Sequence, residues 1–161
     1  MKRTANLLGF VIVVAIFLFV LYTQYVEHYQ PCPLCLLQRA FLLLLGVGFL
    51  AAALVRGGRW TSRFWALILF VFAALGLTVA LRQIWLQYFA PPQLASCGAH
   101  LDWMLRHLPF TETLELVFRG SGNCAAINWT FEGLSMPVWS AIAFVLLGAW
   151  GAWVNLRAAR R

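Results

Sequence analysis

Cysteine is the residue type in this chain best suited to carry chemistry. Cys32 and Cys35 frame a C-x-x-C in the run Pro31-Cys32-Pro33-Leu34-Cys35, while Cys97 and Cys124 stand apart with 26 residues between them. A bridge across two intervening residues closes too small a ring to constrain an unfolded chain much, whereas C-x-x-C is a common setting for a thiol that ionises readily. The residues after it read as a long helix, Pro33 suits the first turn, and the positive end of a helix favours a thiolate. Arg39 follows Cys35 by four residues, which on a helix puts guanidinium and sulfur on one face, where the cation can stabilise a Cys35 thiolate. Thiol–disulfide exchange is the chemistry this pattern favours.

Competing uses of four cysteines fail on spacing. A structural zinc site normally presents a second C-x-x-C or a close Cys/His pair, and His28, His100 and His107 lack ligand spacing, so no metal site is expected. Covalent haem requires histidine after the second cysteine, where Leu36 stands. No G-x-G-x-x-G follows a strand to bind a flavin or nicotinamide. Four cysteines allow three pairings. A bridge that merely clips a long loop is an ordinary use for Cys97 and Cys124, and a membrane subunit stapled by purely structural disulfides is the competing reading.

The elements that must position these thiols are membrane spans. Of 161 residues 63% are hydrophobic and 11% charged, with a mean hydropathy of +0.81, too apolar for an ordinary soluble domain. Apolar blocks at about 7–23, 36–55, 64–85 and 138–156 are each near the length that crosses a ~30 Å hydrocarbon layer at ~1.5 Å per residue. The first has no small-x-small cleavage site after it and reads as a retained helix. Arg56-Gly57-Gly58-Arg59 is a short turn that leaves the second and third spans antiparallel neighbours. Trp65, Trp85, Trp139 and Trp153 lie near span ends, where indoles suit the headgroup layer.

Sorting the 12 basic residues assigns the sides. Lys2, Arg3, Arg56, Arg59, Arg63, Arg157, Arg160 and Arg161 fall on one side; Arg106, Arg119 and all 5 acids fall on the other; Arg39 and Arg82 remain inside or at the edges of helices. The Lys/Arg excess marks the cytoplasmic face, so both termini are expected there and the loops at 24–35 and 87–136 face outward, with all four cysteines. The net charge of +7 is thus a topology signal, with no basic face suited to nucleic acid. Leu101, Met104, Leu105 and Leu108, like Leu114, Val117 and Phe118, recur at helical spacing, which predicts short interfacial helices in the longer loop. The fold class is an all-α, integral-membrane four-helix bundle forming a single domain over 1–161. In a bacterial inner membrane the outward side is oxidising, and electrons taken there from a thiol protein need an acceptor. A lipid-soluble quinone among the helices answers that need.

These residues resemble the disulfide bond formation protein B (DsbB) family of bacterial inner-membrane thiol:quinone oxidoreductases. The resemblance runs through Cys32-Pro33-Leu34-Cys35 with Arg39, Ala95-Ser96-Cys97, Asp102-Trp103-Met104, Gly120-Ser121-Gly122-Asn123-Cys124 and Trp129-Thr130-Phe131-Glu132-Gly133-Leu134-Ser135-Met136-Pro137. It implies that a reduced DsbA-like periplasmic partner attacks a Cys97–Cys124 disulfide and joins Cys97. Cys124 then attacks the Cys32–Cys35 bridge at Cys32, releasing Cys35 as a thiolate beside the quinone, with Arg39 holding the charge. Such exchange speeds up with thiolate fraction and with a low-pKa leaving sulfur. Either ubiquinone or menaquinone meets the requirement for an apolar slot with a few donors. A specialised relative serving one dedicated partner is a further alternative.

The sequence departs from the family pattern at one point. Some members place histidine near the quinone at the outer end of the third helix, where this chain reads Leu81-Arg82-Gln83-Ile84-Trp85. Gln83 can donate a hydrogen bond to a quinone oxygen and enters as a cofactor-binding candidate, but it does not titrate near neutral pH as histidine does. Arg82 can supply charge or snorkel to the interface.

Overall fold

The computed structural model describes residues 2–26, 32–55, 57–89 and 130–160. Cys97, Cys124 and the interfacial helices expected between them lie outside the described residues. Four long helices carry the fold: α1 (Lys2–Tyr25), α2 (Pro33–Leu54), α3 (Arg59–Tyr88) and α4 (Met136–Arg160), each long and apolar enough to cross a membrane. The helices overrun the apolar blocks at most ends, because the backbone ladder does not stop where the hydrocarbon does. At 30 residues α3 is about 45 Å long, well beyond a ~30 Å core.

The helices close a ring, α1 on α2, α2 on α3, α3 on α4, and α4 back on α1, with the α3–α4 seam the most extensive. Large apolar side chains such as Leu18, Val47, Leu67 and Leu146 point outward and are exposed, as a bundle solvated by lipid requires. Inside, Val13, Leu45, Phe49, Leu69, Ala73 and Phe144 form the central core. Small residues let the backbones approach there: a Cβ built on Gly148 would lie 2.7 Å from the Ala73 Cβ, and one on Gly46 2.9 Å from Val13, the close contact that drives helix association where no hydrophobic effect operates.

Polar side chains are buried in two layers, one toward each end of the bundle. At the end holding the start of α1, Asn155 Nδ2 donates to Asn6 Oδ1 at 3.0 Å and Asn6 Nδ2 to Asn155 Oδ1 at 3.4 Å. Lys2 Nζ donates to Ser62 Oγ at 2.9 Å, so the start of α1, the start of α3 and the end of α4 share that end. Arginines pair with rings near the helix ends: Arg157 lies 4.0 Å from the Trp153 centroid and Arg82 4.6 Å from Trp85, apolar body and charged tip arranged for the interface.

A short hairpin precedes α4, absent from the sequence reading. β1 (Thr130–Phe131) pairs antiparallel with β2 (Leu134–Ser135). Glu132 and Gly133 have φ of 52° and 78°, the left-handed pair that a two-residue hairpin turn demands, and Gly133 takes that conformation without a Cβ penalty.

The reciprocal Asn6–Asn155 pair should show in a double-mutant cycle. Replacing both by Leu, and each singly, is expected to reveal a coupling of about 0.6 kcal/mol, with ~1.7 an upper bound, read from unfolding of the detergent-solubilised protein; additive single effects would show that the pair does not join α1 to α4.

Candidate functional site

The opposite end of the bundle is built around the start of α2. Cys32 is its N-cap, extended at φ −76° and ψ 164°, and Pro33 occupies the first turn, where a missing N–H costs nothing. Cys32 Sγ accepts from the Cys35 backbone N–H at 3.3 Å, so sulfur takes the capping role usually given to a Ser or Asp oxygen. The two cysteine sulfurs lie 2.7 Å apart. Cys32 is 3% exposed, and Cys35 is half-buried.

On one side of the sulfurs stands α3. Gln83 is 1% exposed, and its Nε2 lies 3.3 Å from Cys32 Sγ and 3.2 Å from Cys35 Sγ. Its Oε1 accepts from Gln38 Nε2 at 2.7 Å, and Gln38 is itself buried. Leu34, Val79 and Leu86 pack around Cys32, which keeps this polar knot in an apolar setting.

On the other side a cleft opens between α1, α2 and α4. It forms because α4 packs heavily on α3 and only thinly on α1 and α2. Cys35, Gln38, Arg39 and Ser140 supply its polar groups, and Ile16, Val20, Leu42, Met136 and Phe144 are among its apolar walls. Arg39 Nη1 donates to Gln24 Oε1 near the end of α1, giving the guanidinium a partner one turn inside a membrane helix, where an unpartnered charge is costly. Ser140 Oγ donates to the Met136 carbonyl at 3.2 Å.

Comparison with known proteins identifies the family. Residues 2–154 match the sequence profile of the family described as disulfide bond formation protein DsbB. The chain belongs to the DsbB family. It is 43% identical over 151 residues to disulfide bond formation protein B of Nitrosococcus oceani, covering 94% of this chain and 89% of that one. It is 40% identical over 156 residues to the protein of that name from Hahella chejuensis, covering 96% and 94%. It is also 41% identical over 143 residues to disulfide bond formation protein B 1 of Pseudomonas aeruginosa, covering 89% and 88%. DsbB membership makes this chain an oxidoreductase of disulfide bond formation, held in a membrane by four spans.

Of the candidates read from sequence, the structure brings Cys32, Cys35, Arg39 and Gln83 to one end of the bundle. Cys35 and Arg39 share the cleft; Gln83 meets the sulfurs from the α3 side, away from the cleft walls. Arg82 turns over Trp85. Gln38 and Gln24 were missed by sequence reasoning. The available signal for Gln38 was a carboxamide in an apolar helix, three residues after Cys35, since polar groups at membrane depth are usually paired or functional.

The difference in burial predicts an order of modification. In the reduced protein, limiting N-ethylmaleimide should label Cys35 before Cys32, checked by mass spectrometry of the tryptic peptides; labelling of Cys32 first would contradict the packing around it.

Proposed function

We propose that this protein oxidises a DsbA-like periplasmic thiol protein and passes two electrons to membrane quinone, supporting disulfide formation in exported proteins. The observation that carries this reading is the placement of the Cys35 thiol, Gln38 and Arg39 together on one apolar cleft. The donor set suits a quinone: a flat apolar ring against Phe144, Leu42 and Met136, with Arg39 and Gln38 as the nitrogen donors on the same cleft wall. A bound quinone would supply acceptance of two electrons and two protons. Ubiquinone and menaquinone both satisfy these requirements.

The protein's own part is a sequence of sulfur exchanges. A partner thiolate attacks a Cys97–Cys124 disulfide, forms a bond to Cys97 and releases Cys124. Cys124 attacks Cys32 of an oxidised Cys32–Cys35 pair, and Cys35 departs as a thiolate. The partner's second thiol attacks its own bond to Cys97, leaving oxidised partner and a Cys97 thiol. Cys97 then attacks Cys124, which restores the loop disulfide and frees Cys32. The net change is two partner thiols converted to a disulfide and the Cys32–Cys35 disulfide converted to two thiols.

Arg39 serves this sequence as a fixed cation on the face that carries Cys35. Its charge favours Cys35 as the leaving sulfur, because exchange is faster when the departing thiol ionises readily. The apolar walls exclude water and leave that cation little screened. All the groups that change charge are read as periplasmic, on the acidic side of the chain, with Lys2, Arg59, Arg63, Arg157 and Arg160 on the cytoplasmic side.

The test mixes purified protein, reduced DsbA-like partner and a short-chain quinone, and follows quinone absorbance. Replacing any one of Cys32, Cys35, Cys97 or Cys124 by Ser should abolish turnover, and a variant lacking both Cys32 and Cys35 that still ran at the native speed would overturn the proposal. Arg39→Gln should slow quinone reduction by about tenfold, the effect of ~1.4 kcal/mol on a barrier, while partner exchange with the loop stays within about twofold, ~0.4 kcal/mol on the same scale; equal slowing of both steps would remove Arg39 from the quinone site.

A further inference from the structure

The carboxamide of Gln83 is placed to do something other than touch a ligand in the cleft. Its Nε2 lies within reach of two sulfur atoms, 3.3 Å from Cys32 and 3.2 Å from Cys35, and the Cys35 thiol also reaches its Oε1 at 3.6 Å. Its oxygen is engaged by Gln38 Nε2 at 2.7 Å. Turning the Gln83 amide over alone would set its NH2 against the NH2 of Gln38, a donor facing a donor, so the Gln38 contact selects the orientation that presents the NH2 group to sulfur. Gln83 and Gln38 are 1% and 5% exposed, so water does not substitute for either bond, and a buried polar group left unmade is costly.

We propose that Gln83 is a positioning residue for the Cys32–Cys35 couple, directing its NH2 group at the paired sulfurs, and that Gln38 positions Gln83. The inference rests on reading Cys32 and Cys35 as redox-active. Donors directed at sulfur favour the negatively charged thiolate most, the neutral thiol less, and the disulfide, whose sulfurs carry no charge, least. The pair of amides therefore stabilises the reduced couple relative to the oxidised one, and makes the disulfide a stronger oxidant toward the loop cysteines. A carboxamide does this without titrating, so its contribution does not depend on its own protonation.

The experiment is a redox titration of the full-length, quinone-free protein in detergent under nitrogen, against glutathione. Two protein thiols become one disulfide as glutathione disulfide takes the two electrons and two protons and becomes two glutathiones. The state of Cys32 and Cys35 is read by alkylation and mass spectrometry of their own peptide, separately from Cys97 and Cys124. Gln83→Met, close in shape and without donors, should shift the equilibrium toward the disulfide by about tenfold, ~30 mV for two electrons. Gln38→Met, which removes the donor that holds the Gln83 oxygen, should shift it in the same direction by a smaller factor, and stands in if Gln83→Met does not fold. A folded variant set whose equilibrium stays within about twofold of the parent, ~9 mV on the same scale, overturns the proposal and leaves the couple's redox role intact. A parent protein whose Cys32 and Cys35 never interconvert with glutathione overturns the underlying redox reading as well.

Discussion

A carboxamide buried between apolar helices has to find its hydrogen bonds inside the protein, and that constraint organises both ends of this bundle. Lipid offers no partners, so Asn6 and Asn155 satisfy each other across α1 and α4 at one end, and Gln38 and Gln83 do so across α2 and α3 at the other. The apolar middle, built on Phe49, Leu69 and Phe144, is held by close packing with no comparable directionality. Directional bonds fix how the helices register; packing holds them together. At the second end the directional bonds also reach two cysteine sulfurs.

The start of α2 shows how local and tertiary effects combine. Pro33 and the capping sulfur of Cys32 define a helix N-terminus, whose partial positive charge falls off within the first turn, so it acts on Cys32 and Cys35 and hardly beyond. Burial behind Leu34, Val79 and Leu86 gives the two sulfurs unequal access. Cys32 is enclosed on the α3 side, and Cys35 looks into the cleft. One thiol pair thus has two distinct surroundings, a polar contact from α3 on one flank and a cationic, apolar opening on the other. The proposed relay of disulfides accords with an asymmetric pair, since it needs one sulfur to be attacked and another to leave.

Gln38 belongs to both surroundings. It lines the cleft and bonds the amide that meets the sulfurs, so the cleft and the cysteine pair share one side chain. Arg39, the next residue, is tied back to α1 through Gln24. The cleft is therefore framed by bonds to α1 and α3 at its polar edge, while its apolar walls come from α1, α2 and α4 together, α4 packing only lightly on the other two.

Much of this was written in the sequence. The four apolar blocks, the charge asymmetry and the C-x-x-C at a helix start are one-dimensional patterns, because hydrocarbon thickness and the helical rise convert length directly into span, and because Cys35 and Arg39 share a face by helical geometry alone. The hairpin before α4 escaped, although Glu132-Gly133 carried its signal, since strands of two residues have no periodicity to read. What the tertiary structure alone decided was which helix faces which. Gln83 looked like a ligand for a bound ring from its place near the end of the third span, yet rotation of α3 against α2 points it at sulfur and at Gln38, while the cleft opens on α4. The azimuth of each helix is set by the sum of many small packing contacts around a closed ring, and no stretch of residues read along one chain contains that sum.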